Sequence, residues 1–264
     1  MISVSTRDDV GYVVLDRPRK LNALTTDMLV TLESAVRELD SAGLRAVVVS
    51  SSGAHFSAGA DLAEWATPGA TDAQRMSQAG ARAFDALAGI AVPTIAVIRG
   101  VAAGGGLELA LACDLRIAGT SARLGLPETG LANLPAYGGV DRLVALVGRS
   151  RARELLYTAE LVDAGRAAEI GLVNRVVDDA ALDDEVARVI EQVTAADPRA
   201  NALAKALTGG TRIDGLLASF TSQTPESRER KSAFLESRSA GKRATIATDI
   251  GTQPTTNDDR GARA

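Results

Sequence analysis

Three consecutive glycines, Gly104 to Gly106, stand between a β-branched apolar run at 94–99 and a second apolar run, Leu107 to Cys113, whose only charged residue is Glu108. Few folds accept such a junction. The first run reads as a strand and the second as a helix, with glycines where the backbone turns and where another group can approach it closely. A helix that is apolar all round belongs in the interior. Its carboxylate is then buried too, and a buried carboxylate needs partners.

The rest of the chain repeats the alternation. Residues 2–17 read as a hairpin around a polar turn at Asp8, Asp9 and Gly11. After Pro18, apolar residues at Met28, Leu29, Leu32, Ala35, Val36 and Leu39 have helical spacing, and Gly43 ends the pattern. The compact run at 45–51 fits a strand buried on both faces. Residues 66–72 punctuate the chain before a helix carrying Met76, Ala79, Ala83, Phe84 and Leu87. Strands are expected at 114–119 and 172–177, with helices near 139–147, 150–158 and 180–196. The economical architecture is α/β, a largely parallel sheet with right-handed crossovers. Asp197 and Pro198 then open a region without strand signals. The expected division is a core at 1–196, a helical region at 197–243 and a flexible tail at 244–264, the last lacking aromatics and periodic apolar residues. In the helical region, Ala233, Phe234 and Leu235 sit in a strongly charged helix suited to docking on a partner or on the core.

Composition narrows the function classes. With 46% hydrophobic and 23% charged residues the chain has ample material for a soluble core. Its 29 basic and 33 acidic residues include no basic block of the kind that tracks phosphate backbones, so nucleic acid is not an expected partner. A single cysteine, Cys113, excludes an internal disulfide, and with a single histidine, His55, it argues against a zinc site. No long apolar segment and no export signal is read, so a cytoplasmic protein independent of membranes is expected.

Glycines between strand and helix commonly cradle a nucleotide, but the spacing here fails. A dinucleotide fingerprint needs a sixth-position glycine where Leu109 stands, and a phosphate loop needs a lysine that is absent. What remains is a helix start with unsatisfied N–H groups and glycines that admit a ligand, an oxyanion-binding geometry. A second small-residue turn, HFSAGADL at 55–62, offers further amides after the strand at 45–51. Taken singly, either turn is an ordinary tight turn. His55, Ser57 and Asp61 do not make a hydrolase triad: the nucleophile elbow needs glycine at position 55, and there is no second histidine.

Four stretches together carry a resemblance: RPRKLNAL at 17–24, FSAGADL at 56–62, GGGLELALACD at 104–114 and LGLPETGLANLPAYGGVDRL at 124–143. In order and spacing the chain resembles the crotonase superfamily, the enoyl-CoA hydratase/isomerase group, over roughly residues 1–240. The resemblance implies a crotonase-like spiral of ββα units with a C-terminal helical region for trimerisation. It implies an acyl-CoA thioester as substrate, no metal or redox cofactor, and a homotrimer or dimer of trimers. Ala60 and Gly105 would supply the backbone N–H groups of an oxyanion hole, a device worth about 3–4 kcal/mol per donor. Glutamates stand at both positions used by two-glutamate hydratases, Glu108 and Glu128. By analogy Glu128 delivers the proton to the α-carbon and Glu108 orients the water.

The same resemblance places Arg19, Lys20, Leu21, Ala58, Asp61, Leu62, Ala136 and Tyr137 against substrate or coenzyme A, with the Ala136 amide helping to position the water. This sequence departs from the pattern at three places. Ala63 stands where a coenzyme-contacting lysine is common, which leaves Arg19 and Lys20 as the cations; Tyr137 stands where small residues are common; and Arg230 replaces a usual glycine. The leading reading is a 2-enoyl-CoA hydratase giving 3-hydroxyacyl-CoA. An enoyl-CoA isomerase, which needs one base, and a non-catalytic acyl-CoA-binding member are the alternatives.

Overall fold

The computed structural model describes residues 1–66, 69–209 and 224–236. Strands β1 (Ile2–Arg7) and β2 (Val10–Leu15) form an antiparallel hairpin closed by Asp8 and Asp9, both left-handed with φ of 49° and 61°. Such two-residue turns match the twist of the flanking strands. Gly11, read with that turn, lies inside β2; a Cβ there would come within 2.9 Å of Leu39 and Leu44. Helix α1 (Thr26–Asp40) is capped by the Thr25 hydroxyl, which accepts from Met28 N at 3.2 Å, and all six apolar positions expected on its inner face are buried.

The chain continues through β3 (Ala46–Ser51), α2 (Leu62–Trp65), α3 (Ala70–Gly89), β4 (Thr94–Ile98), β5 (Val101–Ala103), α4 (Gly105–Leu111), β6 (Leu115–Gly119) and β7 (Arg123–Gly125). After a 3-10 turn at Pro127–Leu131 come α5 (Gly139–Val147), α6 (Arg149–Thr158), β8 (Val162–Asp163), α7 (Ala164–Glu169), β9 (Arg175–Val177), α8 (Leu182–Ala195) and α9 (Pro198–Thr208). Six strands form one sheet in the order β1-β2-β3-β4-β6-β9, parallel except for β1. A second, three-stranded sheet has the order β5-β7-β8. Consecutive strands β4 and β5, then β6 and β7, therefore sit in different sheets, the ββα spiral that the resemblance implies.

Strand β3 shows why the large sheet is interior. Val47 and Val49 face the main core with α1 and α3, whereas Ala46 and Val48 face a second cluster closed by Leu182, Val186 and Val189 of α8. Both faces of the strand are dry, as its unbroken apolar run requires. Two strands are shorter than the ranges expected for them, 114–119 and 172–177. Asp114 drops out of β6 because its carboxylate accepts from Thr94 N and Oγ1 at 2.8 and 3.0 Å. Leu172 and Val173 are buried but precede β9, held in a loop in which Leu172 N donates to Ala167 O at 2.7 Å.

The first compact unit runs from Met1 to Gly209, past the 196/197 boundary drawn from sequence. Helix α9 belongs to it because Lys205 Nζ donates to Val92 O at 3.0 Å and pairs with Asp114 at 2.8 Å. The second unit contains a helix at 225–236, begun by Thr224 accepting from Ser227 N and Arg228 N, with Phe234 and Leu235 largely exposed. The tail expected at 244–264 lies outside the described residues. Among the described residues no helix is long and apolar enough to cross a membrane.

Arg116, only 3% exposed, fixes the far end of α4. Its guanidinium donates to the carbonyls of Cys113 at 2.7 Å and Leu172 at 2.9 Å, with longer bonds to Ala110 and Asp114. Arg116→Met keeps the stem but strands these acceptors, at a cost of about 1–3 kcal/mol. Urea denaturation should give a lower midpoint with unchanged slope. An unmoved midpoint would show that the clamp contributes nothing.

Candidate active site

The three opening glycines have three separate reasons. Gly104 adopts φ 52°, ψ −128°, outside the range of L side chains, and a Cβ there would meet the Glu128 carboxylate at 2.8 Å. At Gly105 a Cβ would press the Tyr137 ring at 2.9 Å, and at Gly106 it would strike the carbonyl oxygen of Ser57 at 2.5 Å. From the other side Gly59, at φ 102°, presents no side chain to Ala103 O and Gly105 N. The turn at 57–60 and the start of α4 can therefore lie against each other.

This contact puts two amides side by side. Leu24 N donates to Gly59 O and Asp61 N donates to Leu24 O, both at 2.8 Å, as an isolated parallel bridge opposite Ala60. Ladder bonds alternate along a strand, so the Ala60 N–H points away from Leu24. There it lies beside Gly105, whose Cβ position is 3.4 Å from Ala60 N. The Gly105 N–H is one of the first-turn donors that α4 itself does not use. Together they can hold one oxygen.

Glu108, one turn into α4, is 1% exposed. Its Oε1 accepts from Tyr137 N at 2.8 Å and Gly139 N at 2.9 Å. Burial raises its pKa, against the amides of Tyr137, Gly139 and Ala136 and the nearby Arg142 cation, which favour the anion. Glu128 comes from the 3-10 turn after β7, which Gly104 ties to the site by donating to Gly125 O at 2.9 Å. Its Oε2 is buried without a hydrogen-bond partner among the described residues. Burial pushes its pKa up to about 7, and the Glu108 charge adds to the shift. One carboxylate is thus held by fixed amides; the other is free to exchange a proton near neutrality.

A cleft brings together eight of the twelve residues expected at the site: Ala58, Ala60, Leu62, Gly105, Glu108, Glu128, Ala136 and Tyr137. Gly59, Trp65, Gly104 and Leu131 also line it. Arg19 and Lys20 lie on an exposed 3-10 turn outside the cleft, and Leu21 follows them, receiving Ala58 N on its carbonyl at 2.9 Å. Asp61, expected against substrate or coenzyme A, also lies outside the lining of the cleft. Oδ1 caps α2 by accepting from Ala63 N and Oδ2 pairs with Arg17 at 2.5 Å, so Arg17 first and then the cap hold its pKa down. The carboxylate fixes the turn that presents Ala60.

Several positioning residues escaped the sequence reading. Asn22, 0% exposed and left-handed at φ 54°, donates to Ser52 O and His55 O, both at 2.8 Å, and accepts from Arg17 N. Ser57 Oγ donates to Asn22 O and receives Gly59 N. An Asn between two apolar residues, a residue type that tolerates the left-handed region, is a weak sequence signal. His55 serves the backbone: its Nδ1 accepts from Val101 N at 3.1 Å. Among the described residues no group of three metal-ligating side chains occurs.

The comparisons with known proteins decide the family. The family model described as enoyl-CoA hydratase/isomerase matches residues 5–239. The chain belongs to the enoyl-CoA hydratase/isomerase family. It is 34% identical to the crotonyl-CoA hydratase of Syntrophomonas wolfei over 250 residues, covering 90% of this chain and 96% of that one. With the short-chain-enoyl-CoA hydratase of Clostridium acetobutylicum it shares 35% identity over 87% of this chain and 92% of the relative. The crystal structure of an enoyl-CoA hydratase from Mycobacterium smegmatis superposes with a TM-score of 0.84 at 33% identity, covering 89% and 96% of the two chains.

Because folding raises the pKa of Glu128, its protonated form is the one the fold favours. That stability is present in full below the ordinary carboxylate range and lost as pH rises through about 7. Glu128→Gln mimics the protonated form at every pH. It should raise the melting temperature at pH 8, with the difference vanishing toward pH 4; a lower melting temperature at pH 8 would show the carboxylate to be stabilised as an anion.

Proposed function

We propose that this family member hydrates 2-enoyl thioesters of coenzyme A to 3-hydroxyacyl thioesters. The observation that carries the reading is the pair of raised-pKa carboxylates, Glu108 and Glu128, in one cleft with the convergent amides of Ala60 and Gly105. The hydratases from Syntrophomonas and Clostridium support it as relatives. The thioester oxygen sits on the two amides. Water held by Glu108 attacks the β-carbon and leaves its proton on that carboxylate. The π electrons move to the thioester oxygen as an enolate, which the amides stabilise. Glu128 then gives its proton to the α-carbon. Atoms balance: water's oxygen and one hydrogen end on the β-carbon, and the proton lost by Glu128 is regained by Glu108.

The pair therefore holds one proton before and after reaction, and no metal or redox cofactor enters the scheme. Arg19 and Lys20, exposed near the turn at 57–60, are the cations we assign to the phosphates of coenzyme A, in place of the lysine replaced by Ala63. We assign a homotrimer or dimer of trimers, assembled through the C-terminal helical region, on the family resemblance; light scattering would read three or six chain masses. A cytoplasmic setting fits a chain whose one cysteine is a free buried thiol.

Loss of the enoyl-thioester absorbance of crotonyl-CoA tests the reading. Glu108→Gln and Glu128→Gln should each lower kcat by roughly 10²- to 10⁴-fold, the usual worth of a general acid or base. Undiminished turnover in either variant would remove that residue from the mechanism. Retained conversion of a 3-enoyl-CoA by Glu108→Gln, with no wild-type hydration, would instead indicate an isomerase. In the wild type, kcat/KM should fall as pH rises through about 7 and the shared proton is lost. The same limb should appear for dehydration, because both directions start from the singly protonated pair.

A further inference from the structure

We propose that the Tyr137 ring is the end wall of the acyl site and restricts the enzyme to short acyl chains. This rests on the hydratase reading and names its substrate class. The ring is 2% exposed, yet Tyr137 lines the cleft, so one side of it faces the site and the rest is packed in protein. Behind it stands α3, which contributes no residue to the lining of the cleft. The ring bridges that gap. One edge lies against Gly80 of α3, where a Cβ would fall 2.2 Å from Cδ1, and the opposite edge lies against Gly105 of α4. Phe84, also on α3, meets it edge to face with centroids 5.4 Å apart.

The backbone carrying the ring is fixed on every side. Tyr137 N donates to Glu108, Tyr137 O accepts from Arg142 Nη1 at 3.0 Å, and Arg142 in turn pairs with Asp85 of α3. The preceding carbonyl, Ala136 O, accepts from Ser77 Oγ at 3.0 Å. A ring held in this way cannot swing aside for a longer substrate. Its direction also matters. The coenzyme is large and charged and must stay at the solvent side of the cleft, among exposed Leu62, Leu131 and Leu134. With the thioester oxygen on Ala60 and Gly105, the acyl tail runs inward and meets the ring that touches Gly105.

Removing the ring should extend the cleft to Gly80 and Phe84. The test compares hydration of 2-enoyl-CoAs with 4, 6, 8, 10 and 12 carbons by wild type, Tyr137→Phe, Tyr137→Leu and Tyr137→Ala. It also measures binding of butyryl-CoA and decanoyl-CoA by calorimetry. Wild type and Tyr137→Phe should favour the four-carbon substrate. In Tyr137→Ala the preference should move to longer chains, by roughly fourfold in kcat/KM for each methylene newly buried. The decanoyl-to-butyryl affinity ratio should rise in parallel. Tyr137→Leu keeps an apolar side chain of intermediate size and decides the matter if the alanine variant fails to fold. The proposal is overturned if wild type handles ten carbons as well as four, or if neither smaller side chain changes the ratios, as when the tail leaves over the exposed leucines. Absence of all hydration would sink the hydratase reading alone, because the calorimetric ratio still reports on the wall.

Discussion

The structure depends on one close approach, that of the turn at 57–60 to the first turn of α4. Nothing larger than hydrogen fits at Gly59, Gly104 or Gly106 without striking a carbonyl or a carboxylate. Around that contact the chain is pinned from outside. Asn22 ties the loop at 17–24 to the backbone at Ser52 and His55, and the Arg17 to Asp61 ion pair and the cap on α2 hold the turn's far side. At the other end of α4, Arg116 collects the carbonyls that would otherwise lack donors. The amides of Ala60 and Gly105 are thereby held side by side, and donors fixed in advance cost no reorganisation in the role we propose for them.

The two carboxylates show how environment divides like groups. Both are withdrawn from water, and withdrawal alone would protonate both. Glu108 is rescued toward the anion by the amides of Tyr137 and Gly139, which exist because the segment after Pro135 folds over α4. Glu128 has an oxygen with no such partner and a negative neighbour, and it titrates near 7. A pair of this kind holds one proton below about pH 7 and loses it above. Water addition needs one acid and one base together, and the pair is both at once.

Much of the fold was legible because burial writes itself into periodicity. All six apolar positions of α1 and the two-faced burial of β3 follow from spacing alone. Strands β5, β7 and β8 are two or three residues long, too short for any period to show, so the second sheet came from family likeness and not from pattern. The site was readable where chemistry is carried by residue type, as with the glycines and glutamates. It was less readable where a side chain serves the backbone. Asp61 has the look of a ligand-binding carboxylate, but its oxygens are spent on Ala63 N and Arg17. Asn22 gave almost no sign, since its importance lies in bonds to carbonyls 30 and 33 residues away.

The division of labour between the carboxylates can be separated from hydration by following exchange of the α-protons of butyryl-CoA in D2O by NMR. This saturated thioester has no double bond to receive water. Exchange needs the Ala60 and Gly105 amides and the base at Glu128, and it does not need Glu108. The account predicts that Glu108→Gln, impaired in hydration, still exchanges the α-protons, while Glu128→Gln does not. Exchange by Glu128→Gln at the wild-type rate would contradict it.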